Sequence, residues 1–243
     1  MEIRICKNSE ELGISAAKYT AQVLKDAIAE KGSARIVLST GASQFDTLKA
    51  LVKEEGIKWE CVEMFHLDEY VDLPETHVAS FRKYLKERFV AKVGTLKAAH
   101  FVDGTKECIA KLTEEIRKEP IDIGLIGIGE NAHIAFNDPP ADFDTKQAYI
   151  IVNLNERCKQ QQMGEGWFAT IDDVPKQAVS MTAYQIMQCK KIVSCVPYKV
   201  KAEAVEKTVK TKEVTNLIPS TLLKTHPDFI LYVDEDSASG ILS

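Results

Sequence analysis

Nothing in this sequence is suited to a membrane, to nucleic acid or to an oxidising compartment. No apolar run approaches the length that spans a bilayer, and the amino-terminal MEIRICKNSEELG has no basic segment followed by an apolar core. No basic stripe of the kind that tracks a phosphate backbone occurs in a chain of net charge −5. The six cysteines, Cys6, Cys61, Cys108, Cys158, Cys189 and Cys195, form no C-x-x-C pair, and several lie in apolar runs such as KKIVSCVPY. Reduced, mostly buried thiols are expected. Internal repeats, low-complexity tracts and linkers are also missing. These absences predict a cytoplasmic protein without membrane or nucleic-acid partners, folded as a single domain over residues 1–243. A chain of that size buries roughly three quarters of its unfolded surface.

What is present is a set of short β-branched runs separated by amphipathic stretches. IRIC, ARIVLST, CVEMFHL, IDIGLIGIG, KIVSCV and FILYV are apolar on both faces, as strands of a helix-covered parallel sheet must be. Helical spacing of apolar positions predicts helices over Ser9 to Glu30, Phe45 to Glu55, Val78 to Phe89, Thr105 to Lys118 and Lys201 to Lys210. The β-α-β order makes the fold class α/β: a Rossmann-like, doubly wound, mostly parallel sheet with helices on both faces. Ligands of such sheets sit at the carboxyl ends of the strands, so the loops there are where chemistry is to be sought. The Pro-rich NDPPADFDT reads as a long surface loop.

Three loops stand out. In VLSTGASQFDTLKAL a strand runs into Ser39, Thr40, Gly41, Ala42 and Ser43 and then into a helix, which gathers hydroxyls, free backbone N–H groups and a helix start. That composition suits an anion such as a phosphate, and a plain capped helix gives the same pattern. The lysine of a P-loop and the spacing of G-x-G-x-x-G are both missing, so a nucleotide is not indicated. In EMFHLDEYVDLPETHVASF, Asp68, with Glu69 beside it, follows an apolar strand where a carboxylate can act as a base. His66 and Asp68 have no third ligand at a recognisable spacing, and no metal is expected. In LIGIGENAHIAFNDPP, Gly127 and Gly129 allow a close turn, and His133 is followed five residues later by Asp138, which can orient its ring.

Together STGAS, LDEYVDL and GIGENAHIAFNDP resemble the glucosamine-6-phosphate deaminase (isomerase) family, in the superfamily that also holds 6-phosphogluconolactonase. VPKQAVSMT, KAEAV and THPDFILYVDEDSAS extend the likeness, in order, over essentially the whole chain. Lactonases tend instead to carry a D-E-R block and H-T-A-S-L-F. The resemblance implies an enzyme that opens an aldose 6-phosphate bearing a 2-amino group, isomerises it and releases ammonia, with no cofactor and no metal. It implies His133 as ring-opening acid and base, Asp138 and Asn131 as its companions, and Asp68 as the base that moves a proton from C2 to C1. Ser39 to Ser43 and Lys201 would hold the phosphate, with Glu69, Gly129, Ala132 and Gln162 as further members of the site.

The sequence departs from the family pattern in four places. Asn131, Ala132 and His133 stand where many deaminases have Asp-Gly-His, and Asp138 stands where many have Glu. The family's phosphate-binding arginine falls in NERCKQQQMGEGWF, where the nearest register offers Gln162 and the neighbouring cations are Arg157 and Lys159. Gly164, Glu165, Gly166 and Trp167 there suggest a tight turn with an aromatic wall. After SASGILS the extension of allosteric hexameric members is missing, so a monomer or small homo-oligomer is expected. Two other functions remain compatible with these residues: a sugar-phosphate lactone hydrolase in which His133 activates water, and a non-catalytic sugar-phosphate sensor.

Overall fold

The computed structural model describes residues 1–242. Its main sheet has seven strands, all parallel, in the order β1-β10-β9-β6-β2-β3-β5. They are β1 (Glu2–Cys6), β2 (Ala34–Leu38), β3 (Val62–His66), β5 (Ala98–His100), β6 (Ile123–Leu125), β9 (Ile192–Val196) and β10 (Phe229–Asp234). Strand alternation sends Val37 and Phe65 to one face and Ile36, Leu38 and Met64 to the other. Each face carries its own helices. α1 (Ser9–Lys31) and α2 (Phe45–Leu51) cover the second; α5 (Lys106–Ile116), α7 (Ala183–Ile186) and α8 (Ala202–Lys210) cover the first. The sheet is therefore doubly wound, as the both-face-apolar runs predict.

From the central pair β2 and β6 the chain proceeds outward in opposite directions, to β3 and β5 on one side and to β9 and β10 on the other. The gap between β2 and β6 is the topological switch point, where a doubly wound sheet leaves a crevice at its carboxyl edge.

Several expectations need correction. A second, antiparallel sheet of three strands, β4 (Asp68–Tyr70), β8 (Gln177–Met181) and β7 (Tyr149–Asn153), flanks that edge. Two acids in DEY mask its strand character, which comes from pairing with β8. IDIGLIGIG was expected as one long strand, yet only Ile123–Leu125 is regular, because Ile126 to Gly129 peel away as a loop. α2 stops at Leu51, four residues short of the predicted Glu55, and a single 3₁₀ turn, Ala42–Gln44, precedes it. The helix predicted from Val78 begins at α3 (Phe81–Leu85), where the Ser80 side chain accepts from the Lys83 N–H, and continues through a π-helical turn, Lys86–Val90, into α4 (Ala91–Val93). α6 (Glu156–Gly164) was not anticipated; Asn155 caps it. No helix among the described residues is long and apolar enough to cross a membrane.

Candidate active site

The loops after β2, β3, β6 and β9, four strands that adjoin in the sheet, meet over the switch point. They line a cleft open to solvent on one side. Of the residues singled out in the sequence, Ser39, Thr40, Gly41, Ser43, Asp68, Gly129, His133, Gln162 and Lys201 line it.

The loop after β2 is braced from three sides. The Ser39 N–H donates to the Leu125 carbonyl at 3.0 Å, the Gln44 side chain donates to the Cys195 carbonyl at 3.1 Å, and the Tyr84 hydroxyl donates to the Gly41 carbonyl at 3.1 Å. Gly41 has φ of +96°, a conformation open to glycine and strained for other residues. Ser39 Oγ is buried without a hydrogen-bond partner, so a ligand oxygen at this wall would meet a free hydroxyl. Ala42 does not line the cleft; its turn is directed into α2.

Across from it, Lys201 follows Tyr198, which is held at φ of +80° while its N–H donates to both oxygens of Asp234, at 3.1 and 2.9 Å. Strain of that kind persists only where the surroundings impose it. The Lys201 side chain is buried, lines the cleft and makes no ion pair among the described residues. Burial lowers its pKa from the ordinary lysine value, against the opposing charges of Glu165 and Glu130. A buried ammonium without a carboxylate partner is ready for an anionic ligand.

Asp68 opens β4 and turns its carboxyl into the cleft. Burial, with the neighbouring Glu69 charge second, pushes it up to about 8. A carboxylate that strongly basic is matched to abstracting a proton near neutrality. Glu69, expected as a possible site member, lies on the opposite side of the strand, because successive strand residues alternate. Its carboxylate accepts from the N–H groups of Tyr70, Phe81 and Arg82, at 3.0, 3.3 and 2.8 Å, and from the Ser80 hydroxyl at 2.9 Å. Glu69 thus ties β4 to the start of α3. His66 is fully buried, takes a hydrogen bond from the Val102 N–H at Nδ1 and is pushed down to about 3 by burial and then by Arg82, so it is neutral and outside the cleft.

The histidine loop carries two further strained residues, Ala132 at φ of 66° and Ala135 at 50°. Asn137 pins it: its amide donates to the Ile134 carbonyl at 2.7 Å and, across to β8, to the Met181 carbonyl at 2.9 Å. A methyl group on Gly129 would lie 2.1 Å from His133 Cε1, so glycine is required there to make room for the ring. Ala132 is buried beneath the cleft and does not line it.

The hydrogen bonds around His133 fix its tautomer. Asn131 Oδ1 accepts from the His133 backbone N–H at 3.1 Å, while Asn131 Nδ2 donates to Asp138 Oδ1 at 3.0 Å. His133 Nδ1 lies 2.5 Å from that same Asn131 oxygen and 3.2 Å from Asp138 Oδ1. Two acceptors face Nδ1, so the proton sits there and Nε2 keeps its lone pair for the cleft. Burial pushes the Asp138 carboxyl up, but the hydrogen bond and charge of His133, with Asn131, hold it below its ordinary value. The shorter Asp138 therefore still reaches the ring. Asn131 and Asp138 act behind His133 and do not line the cleft.

The lining residues Phe81, Phe136 and Gln161 went unnoticed in the sequence, and Glu165, noted only as part of a tight turn, lines the cleft as well. The aromatic surface comes from Phe81 and Phe136, in place of the expected Trp167, whose indole N–H instead donates to Glu165 Oε2 at 3.0 Å. The tight turn is real, with Gly166 at φ of +81°. Gln162 is buried and takes the Tyr70 hydroxyl at 2.7 Å. Neither Arg157 nor Lys159 reaches the cleft: Arg157 lies in a separate surface groove and Lys159 pairs with Glu156 at 3.1 Å. Among the described residues no group of three or more His, Cys, Asp and Glu side chains is placed to hold a metal ion.

Comparison with known proteins gives the family and the fold. The profile of a family described as glucosamine-6-phosphate isomerases/6-phosphogluconolactonase matches residues 7–231. The glucosamine-6-phosphate deaminase of Shouchella clausii (strain KSM-K16) is 35% identical over 248 residues, covering 98% of this chain and 97% of the relative. Glucosamine-6-phosphate deaminase 1 of Bacillus subtilis (strain 168) is 31% identical, covering 98% and 99%. Among solved structures, a monomeric glucosamine-6-phosphate deaminase superposes with a TM-score of 0.86 at 28% identity, covering 99% of this chain and 100% of its own. A 6-phosphogluconolactonase from Shewanella baltica OS155 shares the fold, with a TM-score of 0.76 at 16% identity, covering 96% and 97%.

Proposed function

The chain belongs to the family of glucosamine-6-phosphate isomerases and 6-phosphogluconolactonases, and on that footing we propose that it converts an amino-sugar 6-phosphate, glucosamine 6-phosphate or its C4 epimer, and water to the ketose 6-phosphate and ammonia. The observation that carries this reading is that Asp68 and His133 line one cleft, the carboxyl pushed up to about 8 by burial and the imidazole held at Nδ1 so that Nε2 is left for the substrate.

The distal phosphate lies against the hydroxyls and N–H groups of Ser39 to Ser43 and the Lys201 ammonium, which leaves the sugar ring between Asp68 and His133. His133 Nε2 takes the proton of the anomeric hydroxyl and returns one to the ring oxygen, and the ring opens to the aldehyde. Asn131 and Asp138 hold the ring in the required tautomer and stabilise the imidazolium that forms in passing. Asp68, in its ionised form, removes the C2 proton, now acidified by the C1 carbonyl, and delivers it to C1. The resulting ketose imine takes up water at C2 and loses ammonia. Each side chain named comes from one chain, so a monomer or small homo-oligomer suffices.

A lactone hydrolase needs His133 but has no use for a strongly basic carboxyl aimed at a carbon acid, and the relatives over 30% identical carry the deaminase name. Incubation with glucosamine 6-phosphate, galactosamine 6-phosphate and 6-phosphogluconolactone, following ammonia and acid release, tests the proposal. Ammonia from an amino sugar is the expected outcome. Acid from the lactone alone would make the protein a lactonase, and silence on all three would make it a sensor.

A further inference from the structure

The end of the cleft that meets the phosphate holds a carboxylate as well as an ammonium. Glu165 lines the same cleft as Lys201, and a methyl group on Gly41 would lie 3.9 Å from Glu165 Oε2. The carboxylate is held in place from its own side: Gln161 Nε2 donates to Oε1 at 2.9 Å and Trp167 Nε1 donates to Oε2 at 3.0 Å. It forms no ion pair with Lys201, yet of the charged groups around that ammonium it acts most strongly, ahead of Glu130. A dianion placed between them gains from Lys201 twice what a monoanion gains, and loses to Glu165 twice what a monoanion loses.

We propose that Glu165 is a specificity-determining residue that cancels the field of Lys201 at the distal end of the cleft, so that singly and doubly charged sugar 6-esters bind about equally well. The inference rests on the reading of the cleft as a sugar 6-phosphate site. Recognition then depends on hydrogen bonds from Ser39 to Ser43, with no premium for a second charge. Replacing Glu165 by a neutral residue leaves only the weaker Glu130 opposing Lys201, and removing one unit charge at an effective dielectric near 20, screened at this half-exposed position, favours the second ligand charge about tenfold.

The probes are glucitol 6-phosphate, a dianion at pH 8, and glucitol 6-sulfate, a monoanion; both lack the carbonyl and cannot turn over. Calorimetric titration of the whole protein at pH 8 gives their affinities, with Asp68, Glu130, Tyr70 and Tyr84 common to every variant compared. Wild type is expected to bind the two esters within about threefold of each other. Glu165→Gln should favour the phosphate about tenfold over the sulfate, and Glu165→Asp, which keeps the charge, should restore the wild-type ratio. A wild-type preference for the phosphate of tenfold or more, or a ratio unmoved by Glu165→Gln, overturns the inference. In that case a Lys201→Met loss on both esters relative to glucitol leaves the reading of the cleft standing. If neither ester binds wild type better than glucitol, that reading fails and the inference fails with it.

Discussion

Replacing Asp68 with asparagine should abolish turnover and, at the same time, make the protein more stable the higher the pH. The carboxyl lies at about 8 in the folded chain and at 3.8 in its ordinary state, raised first by burial and second by Glu69. Between those values the folded protein keeps a proton that the unfolded chain has released, so wild-type stability falls as pH rises from about 4 to about 8. The slope of that loss is about 1.4 kcal/mol per pH unit for one proton. Summed over the window the ceiling is about 6 kcal/mol, and the open cleft beside Asp68 brings the realised loss to a few kcal/mol. Asparagine does not titrate. Urea denaturation of both proteins at pH 5, 6.5, 8 and 9, followed by tryptophan fluorescence, should therefore show similar midpoints at the acid end and a gap that widens to pH 8 and then stays level. The wild-type kcat/KM should climb through the same range, because only the ionised base can take the C2 proton. A stability gap independent of pH, or a wild type that gains on the variant as pH rises, would put Asp68 back among ordinary carboxylates and remove the argument for its role.

Three further outcomes are expected. His133→Gln should slow the closed-ring substrate about 10²–10⁴-fold while sparing an open-chain analogue, and equal slowing of both would assign the histidine to a later proton transfer. Gly129→Ala drives a methyl group into the His133 ring, 2.3 Å from Nε2, so kcat should fall about a hundredfold with glucitol 6-phosphate binding little changed; near-normal turnover would show that the ring has room to spare. Glu69→Ala leaves the Ser80 hydroxyl and the Phe81 and Arg82 N–H groups without their acceptor, which should cost about 3 kcal/mol or more in urea denaturation, whereas lost turnover at full stability would return Glu69 to the chemistry.

The positions of Thr40, Asp68 and His133 were legible because each follows a run apolar on both faces, the pattern of strands in a covered sheet. That β2 lies between β3 and β6 was not legible, since strand order is settled by long-range pairing. The split between Asp68 and Glu69 was hidden for a related reason: DEY is a strand only through its ladder with β8, and without that knowledge the alternation of faces has no starting point. Glu165 and Gln161 sit in a polar segment with no apolar periodicity to show a helix there. They reach the cleft because α6 runs alongside the histidine loop, where Gln161 Oε1 accepts the Glu130 N–H at 3.2 Å. With aspartate at 138, Oδ1 lies 3.2 Å from His133 Nδ1, on a loop with left-handed residues at Ala132 and Ala135.

The central claim, that Asp68 and His133 together perform an isomerisation that ends in deamination, is tested most directly by running glucosamine 6-phosphate in deuterated water with wild type and Asp68→Asn and observing the product by NMR. Wild type should release ammonia and yield fructose 6-phosphate carrying deuterium at C1, because the proton that Asp68 delivers there exchanges with solvent through the cleft, while the variant should bind the sugar phosphate and do neither. Ammonia release that survives in Asp68→Asn would contradict the account.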